Sequence, residues 1–157
     1  MDNNDILRRL RYSFDFGDDQ MIQLFGLNGL TVTRSEVSNW LKPENDPSFK
    51  ALSDQQLATF LNGLIIHKRG KKEGVVMVPE KELNNNIIFR KLRIALAMKD
   101  IDILKIYDLV DIYISEHELS AFFRKPSQRQ YRSCKDQFLR NFLNGLQKKL
   151  RPNTKQG

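Results

Sequence analysis

Residues 4–69 can be laid over residues 86–151 without a gap. In that register Asn4 falls on Asn86, Ile6 on Ile88, Arg8 on Arg90, Leu10-Arg11 on Leu92-Arg93 and Asp18 on Asp100. Leu27 meets Leu109, Glu36 meets Glu118, Ser38 meets Ser120, and Asp54-Gln55 meets Asp136-Gln137. Phe60-Leu61-Asn62-Gly63-Leu64 is repeated as Phe142-Leu143-Asn144-Gly145-Leu146. Trp40 over Phe122, Phe49 over Tyr131 and Arg9 over Lys91 are conservative matches. A register held that long marks a duplication of one supersecondary unit, and 157 residues suit two small packed modules.

Each copy reads as four helices. Ile6, Leu7, Leu10 and Phe14 recur at helical spacing, as do Ile88, Phe89, Leu92 and Leu96. Asn4 and Asn86 are the expected N-caps of these first helices, and Asp18 and Asp100 those of the second. Thr33 with Glu36 and Ser115 with Glu118 form capping-box patterns ahead of the third helix. Val37, Trp40 and Leu41 then face inward, matched by Leu119, Phe122 and Phe123. A polar, Pro-containing loop follows, plugged onto the core by Phe49 or Tyr131. Ser53 and Ser133 are the expected caps of the fourth helix. Gly63 and Gly145 lie inside it, where glycine costs about 1 kcal/mol relative to alanine. That placement points to close approach of another helix, or to a backbone–ligand contact beside Asn62 and Asn144.

The fold class is therefore all-α: a tandem duplication of a four-helix module with helix-turn-helix-like character. The expected boundaries are 1–70 for the first module, 71–83 for a linker, 84–151 for the second module and 152–157 for a flexible tail. Val75-Val76-Met77-Val78 is too apolar for a freely solvated linker and is expected to lie against a module.

The chemistry suggested by individual residues is sparse. The lone Cys134 excludes an internal disulfide, and its repeat partner Leu52 marks the position as apolar packing. His67 and His117 fall at different repeat positions, with no ligand-spaced His, Cys or carboxylate nearby. The repeated carboxylates sit at helix starts, where capping and the helix dipole account for them. There is no glycine-rich phosphate loop. No catalytic residue, metal or cofactor is expected. No stretch reaches the roughly 18 apolar residues of a membrane span, so a cytoplasmic, non-membrane setting is expected.

Charge is more informative. Residues 1–82 carry 11 Lys/Arg against 12 Asp/Glu, whereas residues 83–157 carry 15 against 7. Such asymmetry points to an anionic partner for the second half. Arg8 and Arg11 and their counterparts Arg90 and Arg93, with Lys91 between, are expected on the polar side of the first helices. Arg124, Lys125, Arg129, Arg132 and Arg140 extend the basic set, with Lys135, Lys148, Lys149 and Arg151 beside them. A patch of this kind can hold phosphates by counterion release. Alternatively, it is a solvated face whose helix-end cations complement the dipole.

The third helix could present Arg34, Ser35, Ser38 and Asn39 to a major groove. The connection from Phe25 to Thr33 is long for a helix-turn-helix, and the second copy offers Glu116, His117 and Ala121 instead.

The doubled Phe-Leu-Asn-Gly-Leu, Lys68-Arg69-Gly70-Lys71, Asn84-Asn85-Asn86, Lys91-Leu92-Arg93-Ile94 and Asp136-Gln137-Phe138-Leu139-Arg140 together resemble the YehS-like family of small bacterial proteins. The resemblance covers nearly the whole chain. It implies a bacterial cytoplasmic origin and a tandem architecture, and it carries no activity or site residues with it. The expected role is non-enzymatic binding of DNA or RNA. The alternative is a protein-interaction adaptor or homodimer.

Overall fold

The computed structural model describes residues 1–152, so the expected tail lies, beyond Pro152, outside the described residues. The described residues form eight α-helices and no strands. They divide into two compact units, Met1–Leu83 and the remainder from Asn84. The first contains α1 (Asn3–Phe14), α2 (Asp18–Leu27), α3 (Arg34–Leu41) and α4 (Asp54–Arg69). The second contains α5 (Asn85–Ala95), α6 (Asp100–Asp108), α7 (Glu116–Phe122) and α8 (Asp136–Leu150).

In the first unit Leu7, Leu10, Met21, Leu24, Val37, Leu57 and Leu64 are fully buried. The Phe25 ring lies 5.2 Å from both the Trp40 and the Phe60 rings. In the second, Phe89 stands 4.7 Å from Phe142 among Leu92, Ile103, Ile106, Leu119 and Leu139. Tyr107 takes the place of Phe25 there, and its hydroxyl donates to the Phe138 carbonyl at 2.9 Å. That bond satisfies a polar atom the core would otherwise strand.

The two helical glycines are explained by close packing. A Cβ on Gly63 would collide with the Leu24 carbonyl, with the carbonyl carbon only 2.7 Å away. One on Gly145 would collide with the Ile106 carbonyl and stand 2.6 Å from Ile106 Cγ2. Leu24 and Ile106 are repeat equivalents, so α4 crosses α2 as α8 crosses α6, backbone against backbone.

Several helix starts differ from the expectation. Asn4 and Asn86 are not caps: Asp2 caps α1 in a reciprocal box with Asp5, and Asn84 caps α5 through Ile87 N. Asn4 and Asn86 lie inside the helices and are buried. Asn4 Nδ2 donates to the Trp40 carbonyl at 2.9 Å and to the Lys50 carbonyl at 2.8 Å, and Leu52 N donates to its Oδ1 at 3.0 Å. Asn86 does the same to the Phe122 and Arg132 carbonyls and Cys134 N, at 3.0, 2.8 and 2.9 Å. A buried amide with both ends used ties the loop after the third helix to the first helix.

Asp18 and Asp100 are first helical residues behind the caps Gly17 and Lys99, where a carboxylate favours the positive helix end. Ser53 does cap α4, in a box with Gln56. Ser133 caps nothing. The N-cap of α8 is Lys135, because the repeat register sets Ser53 over Lys135 and not over Ser133.

The apolar segment after α4 also departs from expectation. Val75, Val76 and Val78 are 52, 84 and 77 % exposed. Backbone polarity, not side-chain burial, ties the segment to the first unit. Asn28 Nδ2 donates to the Met77 carbonyl at 2.9 Å, and Leu83 N donates to Asp54 Oδ2 at 2.8 Å.

Candidate functional site

The loops that follow the third helices share one backbone pattern. In the first unit Asp46 N donates to the Pro43 carbonyl, Phe49 N to Asp46 and Lys50 N to Asn39, at 3.0, 3.0 and 3.1 Å. In the second, Gln128 N donates to Lys125, Tyr131 N to Gln128 and Arg132 N to Ala121, at 2.9, 3.1 and 3.2 Å. Every pair is related by the repeat register. Asn3 and Asn85 add a further matched brace. Each donates to the carbonyl of Leu52 or Cys134 (3.1 and 3.0 Å) and to the carboxylate of Asp54 or Asp136 (2.7 Å in both).

On this common frame the charges differ. The first loop carries Lys42 and Lys50 against Glu44 and Asp46. The second carries Arg124, Lys125, Arg129, Arg132 and Lys135, with no carboxylate between Glu118 and Asp136. Lys125, Arg129, Arg132 and Lys135 are exposed, and Arg124 is half-buried. Arg140 is half-buried on α8 and donates to Gln137 Oε1 at 2.9 Å.

Among the basic residues of the first helices, Lys91 departs from the expected polar side. Lys91 is buried, 8 % exposed, so it does not belong to a polar face; its position on α5 turns it toward the unit. Arg93 pairs with Asp100 at 3.0 Å and lies 4.6 Å from the centre of the Phe123 ring. Arg90 is exposed, and its Nη2 donates to the Phe123 carbonyl at 3.0 Å. Arg90 and Arg93 thus meet at Phe123, next to Arg124, and both brace the end of α7. Arg8 does equivalent work in the first unit, donating to the Lys42 carbonyl at 2.9 Å and pairing with Asp5. Arg11 is half-buried, with its Nε enclosed.

Asn62 is fully buried and donates to Asn28 Oδ1 at 3.1 Å, next to the Asn28–Met77 bond. Asn144 is half-buried. Its unit has Val110 where the first has Asn28, so the asparagine-to-asparagine bond is confined to the first unit.

Around the base of the second loop, Asn84, Asn85, Tyr131, Ser133, Lys135 and Asp136 line a shallow surface depression of about 540 Å³. Tyr131 is half-buried there. Cys134 is 4 % exposed, and burial, with the Asp136 charge adding, pushes its thiol up to about 12. The hydrogen bond from Asn85 holds the Asp136 carboxyl below its ordinary value. No group of three His, Cys, Asp or Glu residues suited to a metal lies among the described residues. None of the described helices is long and apolar enough to cross a membrane.

The family described as "Protein of unknown function (DUF1456)" matches residues 3–70 and again residues 85–151. The chain belongs to this family. The two matches fall on the two structural units, so the DUF1456 module is the four-helix unit with its asparagine-anchored loop. Within the family's reach, the "Uncharacterized protein YehS" of Escherichia coli (strain K12) is 40 % identical over 145 residues, covering 92 % of this chain and 93 % of that one. No solved structure matches the chain.

In these DUF1456 units the first turns of the third helices expose different chemistry. Arg34 pairs with Asp19 at 2.6 Å, and the exposed first turn of α7 carries Glu116, His117 and Glu118. Sequence reasoning missed Tyr131 as part of the surface and missed the bracing roles of Arg8 and Arg90. The repeat register holds a signal for the latter, because arginine recurs one helical position after the first-helix core residues in both copies.

Proposed function

We propose that this protein is a non-enzymatic, cytoplasmic nucleic-acid-binding protein that holds phosphates of DNA or RNA with the Arg124–Lys135 loop of the second unit. The observation that carries this reading is the contrast between the two loops. One backbone pattern supports balanced charge in the first unit and five cations without a carboxylate in the second. Cations needed only for solubility have no reason to gather on one loop, whereas phosphate binding rewards that placement through counterion release.

The test is fluorescence anisotropy with labelled DNA and RNA between about 50 and 200 mM salt, the range over which phosphate-directed binding falls steeply. The reading expects binding that weakens linearly on a log–log salt plot. K125E/R129E is expected to abolish it, since both side chains are exposed. Affinity that is flat in salt, or unaffected by the double reversal, would sink the reading.

A protein-interaction or homodimer role is favoured instead by the exposed valines at 75, 76 and 78. Light scattering over a concentration series distinguishes it. Self-association lost in V76S/V78S supports the second reading, and a monomer at every concentration removes the homodimer form of it.

A further inference from the structure

The chemistry around the basic loop also selects among nucleic acids, and this inference rests on the reading above. We propose that the loop takes a single-stranded segment, with a base stacked on Tyr131 and flanking phosphates held by Arg129, Arg132 and Lys125.

Three observations point this way. The cations are carried by a loop, while the adjacent helix that could enter a duplex groove exposes Glu116 and Glu118 in its first turn. Carboxylates there repel the phosphates that line either groove of a duplex. Second, Tyr131 is half-buried at the edge of the depression and is flanked in the sequence by the exposed Arg129 and Arg132. Bases in a duplex are already stacked and hide their faces, whereas a single strand offers them to an aromatic ring.

Third, the two units have diverged at this place and not at the scaffold beneath it. Asn85, Asn86 and Asp136 repeat Asn3, Asn4 and Asp54 and keep their bonds. The aromatic ring is kept, Tyr131 for Phe49, while residues beside it change: Asn84 stands for Asp2, Ser133 for Ala51 and Lys135 for Ser53. Each change removes a carboxylate or adds a hydrogen-bonding or cationic group beside the depression. Together they make the depression more polar and less acidic than its first-unit counterpart, with Asp136, the equivalent of Asp54, kept at its edge and held by Asn85.

The experiment compares labelled single-stranded DNA, single-stranded RNA and a duplex of equal length at fixed low salt, with wild type, Y131A, Y131F, Y131W and K125E/R129E. Single strands are expected to bind about tenfold more tightly than the duplex, with Y131A losing about that factor and Y131F keeping affinity. The Y131W emission is expected to be quenched by single strands and not by duplex, which holds even if Y131A proves too unstable to measure. Equal binding of duplex and single strand, or an unquenched Y131W, overturns the stacking inference. If K125E/R129E still abolishes binding in that case, the phosphate-binding reading stands without it. Absence of any binding overturns both.

Discussion

Asn4 and Asn86 make the same three hydrogen bonds, each from inside a first helix to the two ends of the loop that follows the third. Truncating either to alanine leaves two carbonyls and one N–H without that partner, and two of the three bonds lost are buried. We expect Asn86→Ala to cost about 3 kcal/mol of stability in its unit, in line with stranded buried groups at about 1–3 kcal/mol each and partial relaxation. Urea denaturation followed by circular dichroism measures it. A loss below about 1 kcal/mol would show that water replaces the amide without penalty.

The glycine crossings give a prediction of opposite sign to helix propensity. Propensity alone would make Gly63→Ala stabilising by about 1 kcal/mol. Instead, the added methyl meets the Leu24 backbone, which cannot rotate away. Net destabilisation of about 2 kcal/mol is expected, within the usual range for overpacking. Gly145→Ala should cost less, because its methyl would press less closely on the Ile106 carbonyl than that of Gly63→Ala on the Leu24 carbonyl. Thermal melts of the two variants test the ranking.

Among the cations, structural and binding roles should separate. Arg90 donates to the Phe123 carbonyl, so Arg90→Glu is expected to lower the melting temperature as well as nucleic-acid affinity. Reversing Lys125 and Arg129 together should lower affinity and leave the melting temperature within a degree or two, since exposed substitutions of this kind cost about 0.5 kcal/mol or less. The pair of readouts is a melt and an anisotropy titration on the same samples.

Alkaline pH should weaken the second unit. Burial raises the Cys134 thiol to about 12 in the folded chain from an ordinary value of 9.0. Over that window the unfolded chain has released a proton that the folded chain retains, so stability is full below pH 9 and falls as pH rises toward 12. Burial pushes Tyr107 in the same direction. Urea midpoints measured from pH 8 to 10.5 should fall, and Cys134→Ala should flatten part of the decline. A midpoint that rises over this range would contradict the assignment.

Much of the fold was legible because one register governs both copies: a helix ambiguous in one copy is fixed by its partner. The misplacements were local and have a common cause. Asparagine serves equally as a helix cap and as a buried two-ended brace, so Asn4 and Asn86 read as caps until their distant partners Lys50 and Arg132 were placed beside them. Lys91 lies among arginines and reads as surface, yet the pitch of α5 carries it inward. Ser133 looked like a cap by residue type, although the register already assigned that place to Lys135. The basic loop was visible as composition. Its likeness to the balanced loop of the first unit needed the backbone bonds.

The bonds from Asn28 to Met77 and from Leu83 to Asp54 decide where the chain could be divided. A first half ending at Gly70 would strip both side chains of a contact they hold in the whole protein. A cut between Leu83 and Asn84 keeps those contacts and leaves Asn84 to cap α5. The seam of the duplication thus falls at a single peptide bond, and each half would leave it with its own helix ends complete.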